Sequence, residues 1–93
     1  MSVGYYNPFD ALNRLELEFK HQCQRLLGDD GQVLRVQIED LNKYSAVVDT
    51  HYAALLLYFH WMRANSDHII CFVEEVKGGW CVTRWPKEAF GGH

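Results

Sequence analysis

The chain has 93 residues, 48% of them hydrophobic and 23% charged, and its net charge is −3 with histidine neutral. That balance suits one globular domain and excludes a disordered or low-complexity chain. The nine Lys and Arg are scattered rather than clustered, which argues against a general nucleic-acid binder, and the longest uncharged apolar run, YAALLLYF (52–59), is too short to span a membrane.

The first residues, MSVGYYNPFDAL, lack a basic segment followed by an apolar one, so a secretory signal is not expected. Residues 1–6 and 90–93 read as flexible ends of a single domain spanning 1–93. Asn7 is a suitable helix cap and Pro8 suits the first helical position, where its missing N–H costs nothing. Phe9, Leu12, Leu15, Phe19, Cys23 and Leu26 then recur at intervals of three and four, which predicts one apolar stripe on a helix reaching about Leu27. Gly28 supplies the stop, and GDDG (28–31) reads as a turn.

QVLRVQIED alternates cleanly, with Leu34, Val36 and Ile38 on one side and Arg35, Gln37 and Glu39 on the other. This is the pattern of a half-buried strand. YSAVV (44–48) reads either as a second strand or as the start of the next helix; the β-branched pair Val47–Val48 favours the strand.

Residues 49–67 read as a helix capped by Asp49 or Thr50. Its main stripe is Tyr52, Leu55, Leu56, Phe59 and Met62, but Ala53, Ala54, Leu57, Tyr58 and Trp61 leave it apolar almost all round. Such a helix is buried on more than one side. A domain of this size buries only roughly 60–65% of its unfolded surface, so self-association through Leu57, Tyr58 and Trp61 is expected, as a homodimer.

HIICFVEEV (68–76) starts apolar on both faces and turns acidic. Lys77-Gly78-Gly79 is a hairpin turn, WCVTRW (80–85) the return strand, and Pro86 ends it. A two-residue Gly78–Gly79 loop puts Phe72, Val76, Cys81 and Trp85 on one face, and Val73, Glu75, Trp80, Val82 and Arg84 on the other. The sum is an α+β domain, an antiparallel sheet of three or four strands with two helices on one face, in the order α-β-β-α-β-β or α-β-α-β-β. No internal repeat is visible.

Motifs for chemistry are missing. His21, Cys23, His51, His60, His68, Cys71, Cys81 and His93 form no CxxC or HxxxH pair, so neither a metal nor a cofactor is expected. Three cysteines without framework spacing point to a reducing, cytoplasmic setting. None of them sits in a nucleophile context. The carboxylate pairs Asp29–Asp30 and Glu39–Asp40 lie in turns, and Glu74 and Glu75 face opposite ways along one strand. No phosphate-binding glycine loop is present, and the chain is not expected to be an enzyme.

The aromatics remain. They are 14% of the residues, more than so small a core holds, and Trp, Tyr and Arg are the residues enriched at binding hot spots. The expected partner surface is Trp80 with Arg84, joined by Trp61, Tyr5 and Tyr6, while Trp85 packs in the core beside Phe72. The leading expectation is a binding protein without catalysis, docking on another protein as an inhibitor, adaptor or immunity-type factor. Size and lack of motifs, not any residue, place it with accessory proteins of phage and mobile elements, anti-defence inhibitors among them. One alternative is a regulator that contacts single-stranded nucleic acid. Another is a small enzyme or ligand binder with a pocket near His60, Cys71 or Cys81.

Overall fold

The computed structural model describes residues 8–39, 43–65 and 67–90. The elements are α1 (Pro8–Leu27), β1 (Val33–Glu39), β2 (Lys43–Val48), α2 (His51–Asn65), β3 (Ile69–Val76) and β4 (Gly79–Pro86), followed by a 3₁₀ turn over Lys87–Phe90. The α-β-β-α-β-β order is therefore the correct one, with residues 43–48 a strand. The four strands form one sheet in the order β1-β2-β4-β3, antiparallel throughout. Each half of the chain is one helix followed by one hairpin, with β2 and β4 meeting at the centre. In topology the halves are related by a two-fold normal to the sheet, although their sequences share no repeat.

Leu27 ends α1, and Gly28 follows with φ 56°, donating its N–H to the Gln24 carbonyl at 2.9 Å. This is a left-handed helix stop that glycine adopts without strain. The buried stripe is Phe19, Cys23 and Leu27, with Leu12 partly covered. Here the sequence reading needs correction along the helix: Phe9 is 75% exposed, and Leu15 and Leu26 also face out. A helix turns about 100° per residue, so the stripe that holds Phe19 and Cys23 continues to Leu27 rather than Leu26 and passes through Glu16.

The alternation in β1 is broken once. Val33 pairs with Val48 and Arg35 with Val47, so Leu34 is an extra residue, a bulge. Val33 and Ile38 are buried while Leu34 faces out, correcting the expectation that Leu34 shares a face with Ile38. The bulge also aims the backbone. Amides five apart in a regular strand point to opposite edges, whereas one inserted residue brings Val33 and Ile38 to the same edge. There the Val33 N–H donates to Gln24 Oε1 at 2.9 Å and the Ile38 N–H to Glu16 Oε2 at 3.2 Å. Polar side chains of α1 thus occupy the outer edge of β1.

Thr50 is the cap of α2, its Oγ1 accepting from the Ala53 N–H at 3.1 Å. Asp49 is used elsewhere: its Oδ1 accepts the Gln32 N–H at 2.9 Å. Ala53, Ala54, Leu57 and Trp61 are buried on the inner side of α2, and the two alanines let the helix sit close to its neighbours. Of the stripe that the spacing favours, Tyr52 and Phe59 are exposed, Phe59 at 63%, while Leu55, Leu56 and Met62 are half-buried, the last two against the core. Phe19 of α1 stacks on Trp61 at 5.7 Å. Gly31, just past the end of α1, lies against Ala53 near the start of α2. The two helices therefore run antiparallel over the sheet.

Lys77 and Gly78 form the tip of the β3–β4 hairpin, with φ 85° at Gly78, and Val76 pairs with Gly79. The register differs by two residues from that of a Gly78–Gly79 loop. Because side chains alternate with period two, a shift of two leaves every residue on its expected face.

Candidate interaction surface

The pairings order each face of the sheet into rows running from β1 to β3. Toward the helices lie Ile38, Tyr44, Arg84 and Cys71; then Val36, Ala46, Val82 and Val73; then Val33, Val48, Trp80 and Glu75. Away from the helices lie Glu39, Lys43, Trp85 and Ile70; then Gln37, Ser45, Thr83 and Phe72; then Arg35, Val47, Cys81 and Glu74. The hairpin faces are those the sequence implies, but the helices cover the opposite one. Trp80 and Arg84 look into the helix layer, and Trp85 and Phe72 lie on the face that no helix among the described residues covers.

Arg84 is not a surface residue awaiting a partner. Its guanidinium lies 4.5 Å from the Tyr44 ring centroid, 5.2 Å from Trp61 and 5.4 Å from Phe19. Three aromatic faces thus hold the cation under the helices. Trp61, at 5% exposure, is one wall of this box, and Leu57 is fully buried beside it. Neither residue offers a surface, so their assignment to partner binding and self-association is corrected. Tyr58 is half-buried on α2. Trp80 is half-buried and stacks on His51 at 4.1 Å. Tyr5 and Tyr6 lie outside the described residues. Cys23 and Cys71 line the buried layer; desolvation pushes their thiols up to about 12 and about 11, with the Arg84 charge opposing it. They are therefore poor nucleophiles at neutral pH.

The helix-free face is half polar and half apolar. At its β1–β2 end Lys43 Nζ lies 3.6 Å from Glu39 Oε2 and 4.6 Å from the Trp85 ring centroid. Across the middle, Ser45 Oγ and Thr83 Oγ1 are 3.2 Å apart, and Cys81 Sγ lies 3.5 Å from the same Thr83 oxygen. A shallow groove of about 290 Å³ follows this polar line, bordered by Arg35, Gln37, Val47 and Glu74. Thr83 and Val47 are only 8% and 7% exposed although no helix among the described residues covers them. At the β3–β4 end stand Trp85, Ile70 and Phe72, the last 45% exposed.

His60 borders an open hollow of about 510 Å³ on the outer side of α2 with Leu56, Phe59, Met62 and Arg63, which contribute no thiol or carboxylate. Among the described residues no three His, Cys, Asp or Glu side chains converge as a metal set. No helix among them is long and apolar enough to cross a membrane. The sequence reading missed the Trp85–Ile70–Phe72 corner as a surface. Its signal was present in IICFV, whose apolar residues occupy both faces of a strand that helices can cover on only one. The chain matches no known protein family model, curated protein or solved structure.

Proposed function

We propose that the protein is a non-enzymatic binding module, an inhibitor or adaptor of the kind carried as accessory factors, that docks another protein on the helix-free face of its sheet. The observation that supports this reading is the corner of Trp85, Ile70 and Phe72, with Phe72 45% exposed, on the sheet face that no helix among the described residues covers. An antiparallel sheet with one solvated face ordinarily alternates apolar-in and polar-out, and apolar corners of this kind mark interaction sites. Lys43, Glu39, Arg35 and Glu74 give the corner a rim of both charge signs, as protein interfaces have. The partner is thus a protein with an apolar knob and a mixed polar surround.

The test is affinity capture from source-cell lysate, run with and without nuclease. Trp85→Ala and Phe72→Ala are compared with Phe59→Ala, an exposed aromatic on the far side of the molecule. Loss of capture in the first two, by the roughly 30-fold or more that a hot spot carries, with Phe59→Ala unaffected, supports the reading. Equal capture by all four proteins refutes it. Capture that disappears with nuclease transfers the surface to single-stranded nucleic acid, for which the two aromatics and Lys43 would be the contacts and Glu39 and Glu74 the obstacle.

A further inference from the structure

The two outer strands of the sheet are finished differently. The outer edge of β1 is met by Gln24 and Glu16. In β3 the facing pair next to the tight turn is Val76 and Gly79, and such a pair exchanges both backbone bonds. Bonding then alternates, so Glu74, Phe72 and Ile70 also bond to β4. The Lys87 N–H donating to the His68 carbonyl at 2.9 Å continues the same series. The N–H and C=O groups of Ile69, Cys71, Val73 and Glu75 therefore point outward. Among the described residues no strand pairs with them. This edge carries no proline, no lysine within the strand and no bulge; of the devices that blunt an edge it has the charges of Glu74 and Glu75, both at its hairpin end.

We infer that β3 pairs antiparallel with β3 of a second copy of this chain, joining the two sheets into one. The occupant follows from the residues. One register uses all four outward residues: Ile69 faces Glu75 of the second copy and Cys71 faces Val73, each pair exchanging two backbone bonds. In that register Phe72 faces its own counterpart across the two-fold, as a close non-hydrogen-bonded pair. Glu74 and Glu75 meet Ile70 and Ile69 and so stay away from their own copies. Beyond the strand ends, Lys77 comes opposite Asp67, twice by symmetry, and both residues are exposed. The edge is thus complementary in charge to itself when reversed.

The helix layer agrees. Leu55, Phe59 and Met62 lie about half a turn around α2 from Leu57. They lie on the side of α2 opposite Leu57, with Phe59 exposed and Met62 partly buried against the core, on a helix that packs against β3. Strands lie about 4.8 Å apart. A two-fold beside β3 therefore places the two α2 helices on the same face of the joined sheet, side by side. The pairing also runs the apolar corner of one copy into that of the other through Phe72, while leaving Trp85 at the surface. It does not depend on the docking reading above.

Sedimentation velocity over a range of concentrations tests the inference. The wild type is expected to show a concentration-dependent mass reaching twice that of the chain. Val73→Pro removes an outward N–H without touching the ladder to β4, a place where an edge strand tolerates proline, and is expected to be monomeric. Lys77→Glu and Asp67→Lys are each expected to weaken association roughly tenfold, since each turns two attractive surface pairs into repulsive ones. The double variant, Lys77→Glu with Asp67→Lys, is expected to restore it. The swap keeps the test decisive if Val73→Pro fails to fold. A wild type that stays monomeric up to millimolar concentration overturns the inference, as does a dimer indifferent to the charge swap.

Discussion

Gln24 joins three segments with one side chain. Its Nε2 donates to the Gly31 carbonyl at 2.9 Å and the Gly28 carbonyl at 3.3 Å, and its Oε1 accepts from the Val33 N–H at 2.9 Å. Two carbonyls and one amide fix which end of the carboxamide is which. Gln24→Glu keeps the shape, deletes both donations and turns a carboxylate oxygen toward two carbonyl oxygens. It does so in a loop that already holds Asp29, Asp30 and Asp49. Each neutral hydrogen bond is worth about 1 kcal/mol net, and the repulsion adds to that loss. The expected cost at pH 7 is about 2–3 kcal/mol, or roughly 10–20 °C in Tm for a chain of this length.

The sign of the pH dependence follows from the same contacts. Once protonated, the introduced carboxyl regains a donor for the Gly31 carbonyl, so folding raises its pKa above the ordinary glutamate value of about 4.3. A group raised in the folded state contributes fully below its unfolded pKa and loses that contribution as pH rises through the folded one. The deficit of Gln24→Glu relative to wild type should therefore shrink on going from neutral pH to below about 4, whereas that of Gln24→Ala should not. Urea unfolding of the three proteins at both pH values measures this. A Gln24→Glu deficit under about 0.5 kcal/mol at neutral pH, where two bonds are lost, or one identical at both pH values, refutes the clamp.

Three other outcomes are expected. A Cβ on Gly31 would collide with the Cβ of Ala53, so Gly31→Ala should cost about 1–3 kcal/mol by overpacking, and much less in an Ala53→Gly background; equal costs in the two backgrounds would deny the contact. Arg84→Lys should cost about 1 kcal/mol in thermal unfolding, because an ammonium cannot lie flat against Tyr44 and Trp61 as a guanidinium does; an unchanged Tm would mean that the box does not bind the cation. The thiols of Cys23 and Cys71 are raised from 9.0 to about 12 and about 11. Their contribution to stability is complete below pH 9 and is lost as pH rises toward those values; a denaturant midpoint that falls no more steeply above pH 9 in wild type than in Cys23→Ala would contradict this.

Element types and order were legible, apart from residues 44–48, which read as either strand or helix, because each rests on a periodicity or a stop signal: the stripe through Phe19 and Cys23, the alternation of QVLRVQIED, the glycines at 28 and 78. Which side of an element faces the core was legible only where one side was polar. α2 offers two apolar stripes, and spacing alone favours the one with larger side chains. Packing chose the one with Ala53 and Ala54, because small residues allow close approach. β3 and β4 are ambiguous in the same way, so their faces could be sorted but not oriented. That inversion exchanged the roles of Trp80 and Trp85. The bulge at Leu34 left no mark in the alternation, because both leucine and its neighbour Val33 are apolar.

The contrast between the two edges comes down to composition. α1 lies over β1 as α2 lies over β3, so in topology each helix could guard the edge beside it. α1 brings Glu16 and Gln24 to that task, and the extra residue at Leu34 turns two β1 amides to receive them. α2, HYAALLLYFHWMRAN, contains no aspartate, glutamate or glutamine, and β3 runs in unbroken register with β4. The helix beside β3 therefore has no carboxylate or glutamine amide to accept the outward amides of Cys71 and Val73, and the strand has no bulge to gather them. What α2 has instead is a second apolar stripe. An edge that no strand or α2 side chain among the described residues meets, beside a helix with a second apolar stripe, is one surface, and a second β3 satisfies its backbone while a second α2 covers its side chains.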